Sequence, residues 1–176
     1  MERIELKRQQ ISSVLSTAHR RGRHGSVLVA QVMTAAPECV QLETSALELV
    51  RTFHAKGFRH LPVTDAGGRL VGIISDRDVL RALGPGEAPD RELLAGIPAA
   101  DLMSTDLVTI SPQHTLADAV DLLLEHGISS LPVLVDGILV GILTTTDLYL
   151  ALQILLQSTR PAGALEPYRA QGLQPS

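Results

Sequence analysis

The 176-residue sequence predicts an α/β (α+β) fold: two tandem β-α-β-β-α repeats packed face to face as one globule. Three observations carry this prediction. The chain repeats itself. Met33 recurs as Met103, Val50 as Val120, Gly57 as Gly127, and Leu61-Pro62-Val63 as Leu131-Pro132-Val133, all at an offset of 70. Past a one-residue deletion the offset becomes 69, so that Gly72-Ile73-Ile74-Ser75 answers Gly141-Ile142-Leu143-Thr144 and Asp78 answers Asp147. Within each copy, strand-like apolar runs alternate with helical periodicity. Finally, neither copy is large enough to bury a good core alone, so the two should pack face to face as one globule.

The elements follow in order. A short strand, Cys39 to Leu42 or Leu107 to Ile110, precedes a helix at 45–56 or 115–126. Ser45 and Thr115 are the expected N-caps, and Gly57 and Gly127 the expected stops. Ala46, Leu47, Leu49, Val50 and Phe53 form a broad apolar stripe on the first of these helices. Two strands joined by a tight turn come next, turning at Asp65-Ala66-Gly67-Gly68 or at Asp136-Gly137. The last strand, Leu70 to Ile74 or Ile138 to Leu143, runs into a second helix near Asp76 or Thr145. The organisation is then a basic helical segment 1–27, repeat one at 28–83, a linker 84–97 with one turn at Arg91–Ala95, repeat two at 98–157, and a flexible tail 158–176.

Composition narrows the function. Apolar residues make up 45% and aromatic residues 2%, with no tryptophan, so a packed core is within reach but stacking platforms are nearly absent. The net charge of −4 argues against a dedicated nucleic-acid binder. The six Lys/Arg of residues 1–27 leave a basic arm as a minor alternative, beside a helix that is solvated or packs on a partner module. No run is long enough to span a membrane and no signal-peptide pattern follows the start. The lone Cys39 excludes a disulfide framework, and the cytoplasm is the expected location. Cys39 has no paired histidine and no catalytic motif is present, so no enzyme and no metal site is expected.

The repeated Ser/Thr-x-x-Asp carries the chemistry. At Ser75-Asp76-Arg77-Asp78 a strand ends and a helix begins, presenting free N–H groups and the positive dipole end to an anion. Arg77 adds a forked cation, and Asp78 can accept both hydroxyls of a ribose. The competing reading is a capping box, which needs no ligand. Between Arg91 and Arg160 there is no Lys or Arg, while eight acidic residues fall there. A phosphate held by the second copy therefore needs cations from Arg59 and Arg77, a partner subunit or Mg²⁺. That imbalance predicts a stronger phosphate site at Ser75–Asp78 and a weaker one at Thr144–Asp147.

Taken in order, the Met33-Thr34 and Met103-Ser104 starts, the two Leu-Pro-Val strands, Gly-Ile-Ile-Ser-Asp-Arg-Asp and Gly-Ile-Leu-Thr-Thr-Thr-Asp resemble the tandem CBS-domain pair, or Bateman module. The resemblance covers about 28–152 and implies a pseudo-twofold fold with a ligand cleft between the copies. It implies an adenine nucleotide (AMP, ADP or ATP) or related adenosyl ligand, with Mg²⁺ as a possible companion. By position it gives Asp78 and Asp147 to ribose, Ser75, Thr144, Thr145 and Thr146 to phosphate, and the surroundings of Val40 and Ile110 to the adenine wall. Arg59, His60, Asp76, Ser129 and Ser130 flank the same cleft. It further implies a regulatory homodimer acting on an unidentified protein target, head-to-head or head-to-tail. The alternative function is a ligand-free dimerisation module.

Overall fold

The computed structural model describes residues 2–20, 27–83 and 91–158, so the tail from 159 and the linker at 84–90 lie outside the described residues. The chain begins with α1 (Glu2–Arg20), the single turn α2 (Val29–Val32), β1 (Thr34–Ala35) and β2 (Val40–Gln41). Then come α3 (Ala46–Lys56), β3 (His60–Thr64), β4 (Leu70–Ser75), α4 (Asp76–Leu83) and α5 (Arg91–Gly96). The second copy supplies α6 (Ala99–Leu102), α7 (Leu116–Glu125), β5 (Ser130–Val135), β6 (Ile138–Thr144) and α8 (Thr145–Ser158).

Local chemistry sets these limits. Ser45 caps α3 through a bond from the Glu48 N–H, while Glu48 reaches back to the Ser45 N–H. Thr115 and Asp118 do the same for α7. Those bonds hold the Asp118 carboxyl below its usual range. Gly57 and Gly127 both sit at φ 62, the left-handed conformation that ends a helix and that a side chain resists. Val135 and Ile138 pair across Asp136-Gly137, confirming the two-residue hairpin.

The strands form two three-stranded sheets, β2-β3-β4 and β1-β6-β5. In the first, β2 runs parallel to β3 and β3 antiparallel to β4. In the second, β1 and β5 both lie antiparallel to β6. The expected strand 107–110 contracts to a single parallel bridge between Ile110 and Val133. Its chain turns at once into Pro112, which has no N–H to give a ladder.

The two copies exchange their leading segments. Thr34 and Ala35 of repeat one pair with Ile142 and Gly141 of repeat two. Ser104 of repeat two pairs with Ile73 of repeat one. The Val29 and Ala30 N–H groups donate to His114 and Pro112, as those of Ala99 and Ala100 donate to Thr44 and Leu42. The cores divide accordingly. One holds Val27, Val29 and Val32 together with Ile110, Leu123, Leu131, Val133 and Leu143. The other holds Val40, Leu49, Phe53, Leu61, Val63 and Ile74 together with Ala99, Leu102 and Met103. Met33 lies over Gly141 and Met103 over Gly72 so closely that a Cβ at either glycine would overlap the sulfur. Each fully buried aliphatic side chain contributes about 1.5–3 kcal/mol. Each copy's core is completed by the other's leading turn.

Candidate functional site

The ends of β6 and β3 and the start of α8 open into a cavity of about 1000 Å³ between the repeats. Its lining draws on three parts of the chain. Repeat two gives Ser129, Ile142, Thr144, Thr145, Thr146, Asp147 and Tyr149. Repeat one gives Met33 to Glu38, Gly57 to Leu61, and Arg77. The third part is α1, whose Arg3, Ile4, Leu6, Lys7 and Gln10 close one side.

Eight of the residues singled out in the sequence meet here: Arg59, His60, Arg77, Ser129, Thr144, Thr145, Thr146 and Asp147. Val40 and Ile110 have side chains in the two apolar cores instead. Ser75, Asp76, Asp78 and Ser130 do not line this cavity. The sequence placed Arg77 in the stronger phosphate site at Ser75–Asp78 and also offered Arg59 and Arg77 as donors to a phosphate held by the second copy. The structure turns Arg59 and Arg77 toward the Thr144–Asp147 cleft, because the two copies face each other.

Both Ser/Thr-x-x-Asp turns form the cap. The Ser75 N–H and hydroxyl donate to Asp78 Oδ2 at 2.8 and 2.6 Å. The Thr144 N–H and hydroxyl donate to Asp147 Oδ2 at 2.8 and 2.9 Å. Each carboxylate thus keeps its second oxygen for another partner. Asp78 Oδ1 meets Arg81 Nη1 at 3.2 Å on the surface, whereas Asp147 Oδ1 faces Lys7 Nζ at 3.4 Å in a buried setting. Side-chain exposure there is 13% for Lys7 and 6% for Asp147. Burial draws the Lys7 pKa below the usual lysine value, with Asp147 pulling the other way.

The remaining cations are held loosely. Arg59 Nε lies 3.4 Å from Asp76 Oδ2 across an exposed gap, a pair that contributes little. Arg77 is exposed and makes no ion pair with a described residue. Arg3 donates to the Gly57 carbonyl at 3.0 Å with its guanidinium 4.4 Å above the Phe58 ring. His60 Nε2 lies 2.9 Å from Ser129 Oγ, joining the copies, and burial lowers its pKa. Cys39 donates its thiol to the Pro37 carbonyl at 3.4 Å, and burial raises its pKa, which makes it a poor nucleophile. No cluster of metal-binding side chains occurs among the described residues.

Sequence reasoning missed the wall formed by α1. The signal was present: Arg3, Lys7 and Gln10 share one helical face, and Ile11 and Leu15, at steps of four from Lys7, carry the row on into the core.

A family model describing the CBS domain matches residues 29–85 and 99–154. A CBS domain-containing protein of Dictyostelium discoideum is 32% identical over 141 residues, covering 77% of this chain and 95% of its own length. A homoserine O-acetyltransferase of Methanohalophilus mahii is 30% identical over 141 residues, covering 80% of this chain but 26% of the enzyme. The chain spans about a quarter to a third of the first curated relatives it matches. Among solved structures, AcuB of Vibrio cholerae superposes with a TM-score of 0.64 at 30% identity, covering 77% of this chain and 98% of AcuB. CBSX2, solved in complex with AMP, gives a TM-score of 0.60 at 33% identity, covering 76% of this chain and 98% of CBSX2.

Proposed function

Because this chain belongs to the CBS-domain family, we propose that it is a regulatory module that senses an adenine nucleotide bound in the cleft at Thr144–Asp147. One observation carries the proposal: a single cavity holds a helix start, a carboxylate beside it, and cations from the opposite repeat. Ribose hydroxyls donate to Asp147. Phosphate meets the positive end of the α8 dipole, the Thr145 and Thr146 hydroxyls, and the Arg59 and Arg77 guanidinia. Ala35, Ala36, Pro37 and Ile142 provide an apolar wall for the base. The AMP complex of CBSX2 supports the ligand class. Mg²⁺ enters only as a companion of ADP or ATP, since side chains supply cations first.

Signalling on this reading is a shift in how the repeats pack, because ligand contacts both. The target is an unidentified protein, and the module acts in the cytoplasm as a homodimer. Exposed Leu80, Leu124 and Leu152, on α4, α7 and α8, support the dimer. No described helix is long and apolar enough to cross a membrane.

Thermal unfolding with AMP, ADP and ATP tests the proposal. At about 100 Kd a bound nucleotide adds about 2.7 kcal/mol of stability, and Asp147→Ala abolishes that increment. The substitution also removes a cap and lowers the baseline by about 1 kcal/mol, so the increment is the readout. The second reading, a ligand-free dimerisation module, is favoured by the closed caps at Ser75 and Thr144. On that reading no nucleotide shifts the transition.

A further inference from the structure

The family match begins at residue 29, so α1 lies outside it, yet α1 supplies a cation that pairs with the carboxylate of the cleft. Lys7 Nζ is 3.4 Å from Asp147 Oδ1 and donates to Thr34 Oγ1 at 3.2 Å. The other oxygen of Asp147 is taken by the Thr144 cap. A ribose donating both hydroxyls to this carboxylate must therefore use the oxygen that Lys7 faces. An ammonium buried to this degree needs an anion, and losing its partner leaves an uncompensated charge.

What the ligand carries beyond its ribose then decides the outcome. A 5′-phosphate offers the displaced ammonium a new anion within the same cavity. An uncharged tail offers none, and a cationic tail adds repulsion. The helix has room for this adjustment. Ile11 and Leu15 anchor its second half in the core, while Ile4 and Leu6 in the first half are exposed. The first half is held by side-chain bonds from Arg3, Lys7 and Arg8.

We propose that Lys7 is a specificity-determining residue of the cleft, selecting adenosine ligands that bear a phosphate over those with an uncharged 5′ tail. This rests on the adenosine reading of the Thr144–Asp147 site. Calorimetric titration of the full chain with AMP and with 5′-methylthioadenosine, before and after Lys7→Met, separates the two claims. The native chain is expected to favour AMP by about tenfold or more, the scale of one charged hydrogen bond. Lys7→Met is expected to narrow that ratio severalfold, mainly by tightening methylthioadenosine. Gln9→Ala, on the exposed side of α1, is expected to leave the ratio unchanged. Should Lys7→Met fail to fold, Lys7→Gln gives the same comparison. An unchanged ratio in the Lys7 variant, with Asp147→Ala abolishing both ligands, overturns the inference and leaves the site reading intact. Absence of binding by either ligand, or AMP binding indifferent to Asp147→Ala, overturns both.

Discussion

His60 ties the repeats together through one polar contact, and that contact is sensitive to protonation. Burial is the largest influence on its imidazole and lowers the pKa, with Asp76 opposing and Arg59 assisting. The folded protein therefore favours neutral imidazole relative to the unfolded chain. The resulting stability is present above the unfolded value of about 6.5 and is lost as pH falls through the lowered folded value. Thermal unfolding followed between about pH 7 and about pH 5 is expected to show a declining midpoint. His60→Gln, which keeps a polar partner for Ser129, is expected to flatten that decline; an unaltered slope would remove His60 from the account. At this scale the sequence was informative in some places and silent in others. The Ser45 and Thr115 caps were legible because every participant lies within four residues. The partner of Asp147 was not, because Lys7 comes from the far end of the chain and no local rule links them.

The leading segments are the elements that sequence alone misplaces. A repeat offset shows that Thr34 and Ser104 are equivalent, but not which copy each one joins. Duplicated cores present equivalent surfaces, so pairing within a copy and pairing across copies satisfy the same apolar pattern. Short crossing segments decide the matter: four residues separate β1 in one sheet from β2 in the other. The expected elements were otherwise legible from periodicity and turn chemistry, apart from the strand before Ile110. The exchange has a direct consequence. A fragment spanning 28–83 lacks Ala99, Leu102 and Met103 from its core, whereas a fragment spanning 36–104 retains all of them. Circular dichroism and denaturant unfolding of the two peptides are expected to show more cooperative structure in 36–104. Equal cooperativity in 28–83 would mean that the leading turn is dispensable.

Across the whole molecule, charge and topology meet in the cleft. Repeat two carries no Lys or Arg between Arg91 and Arg160, yet its Thr144–Asp147 turn shares a cavity with Arg59 and Arg77 of repeat one and with Arg3 and Lys7 of α1. Distribution of the site over three parts of the chain makes a bound anion a bridge between them. On the proposed reading, that arrangement would couple occupancy to packing, as a sensor requires. A crystal structure of the full chain grown with saturating AMP tests the central claim most directly. The account predicts ribose hydroxyls on the Asp147 carboxylate and phosphate between the α8 N-terminus and the Arg59 and Arg77 side chains. AMP seated against Ser75–Asp78 alone, or a cleft still empty at saturating AMP, would contradict it.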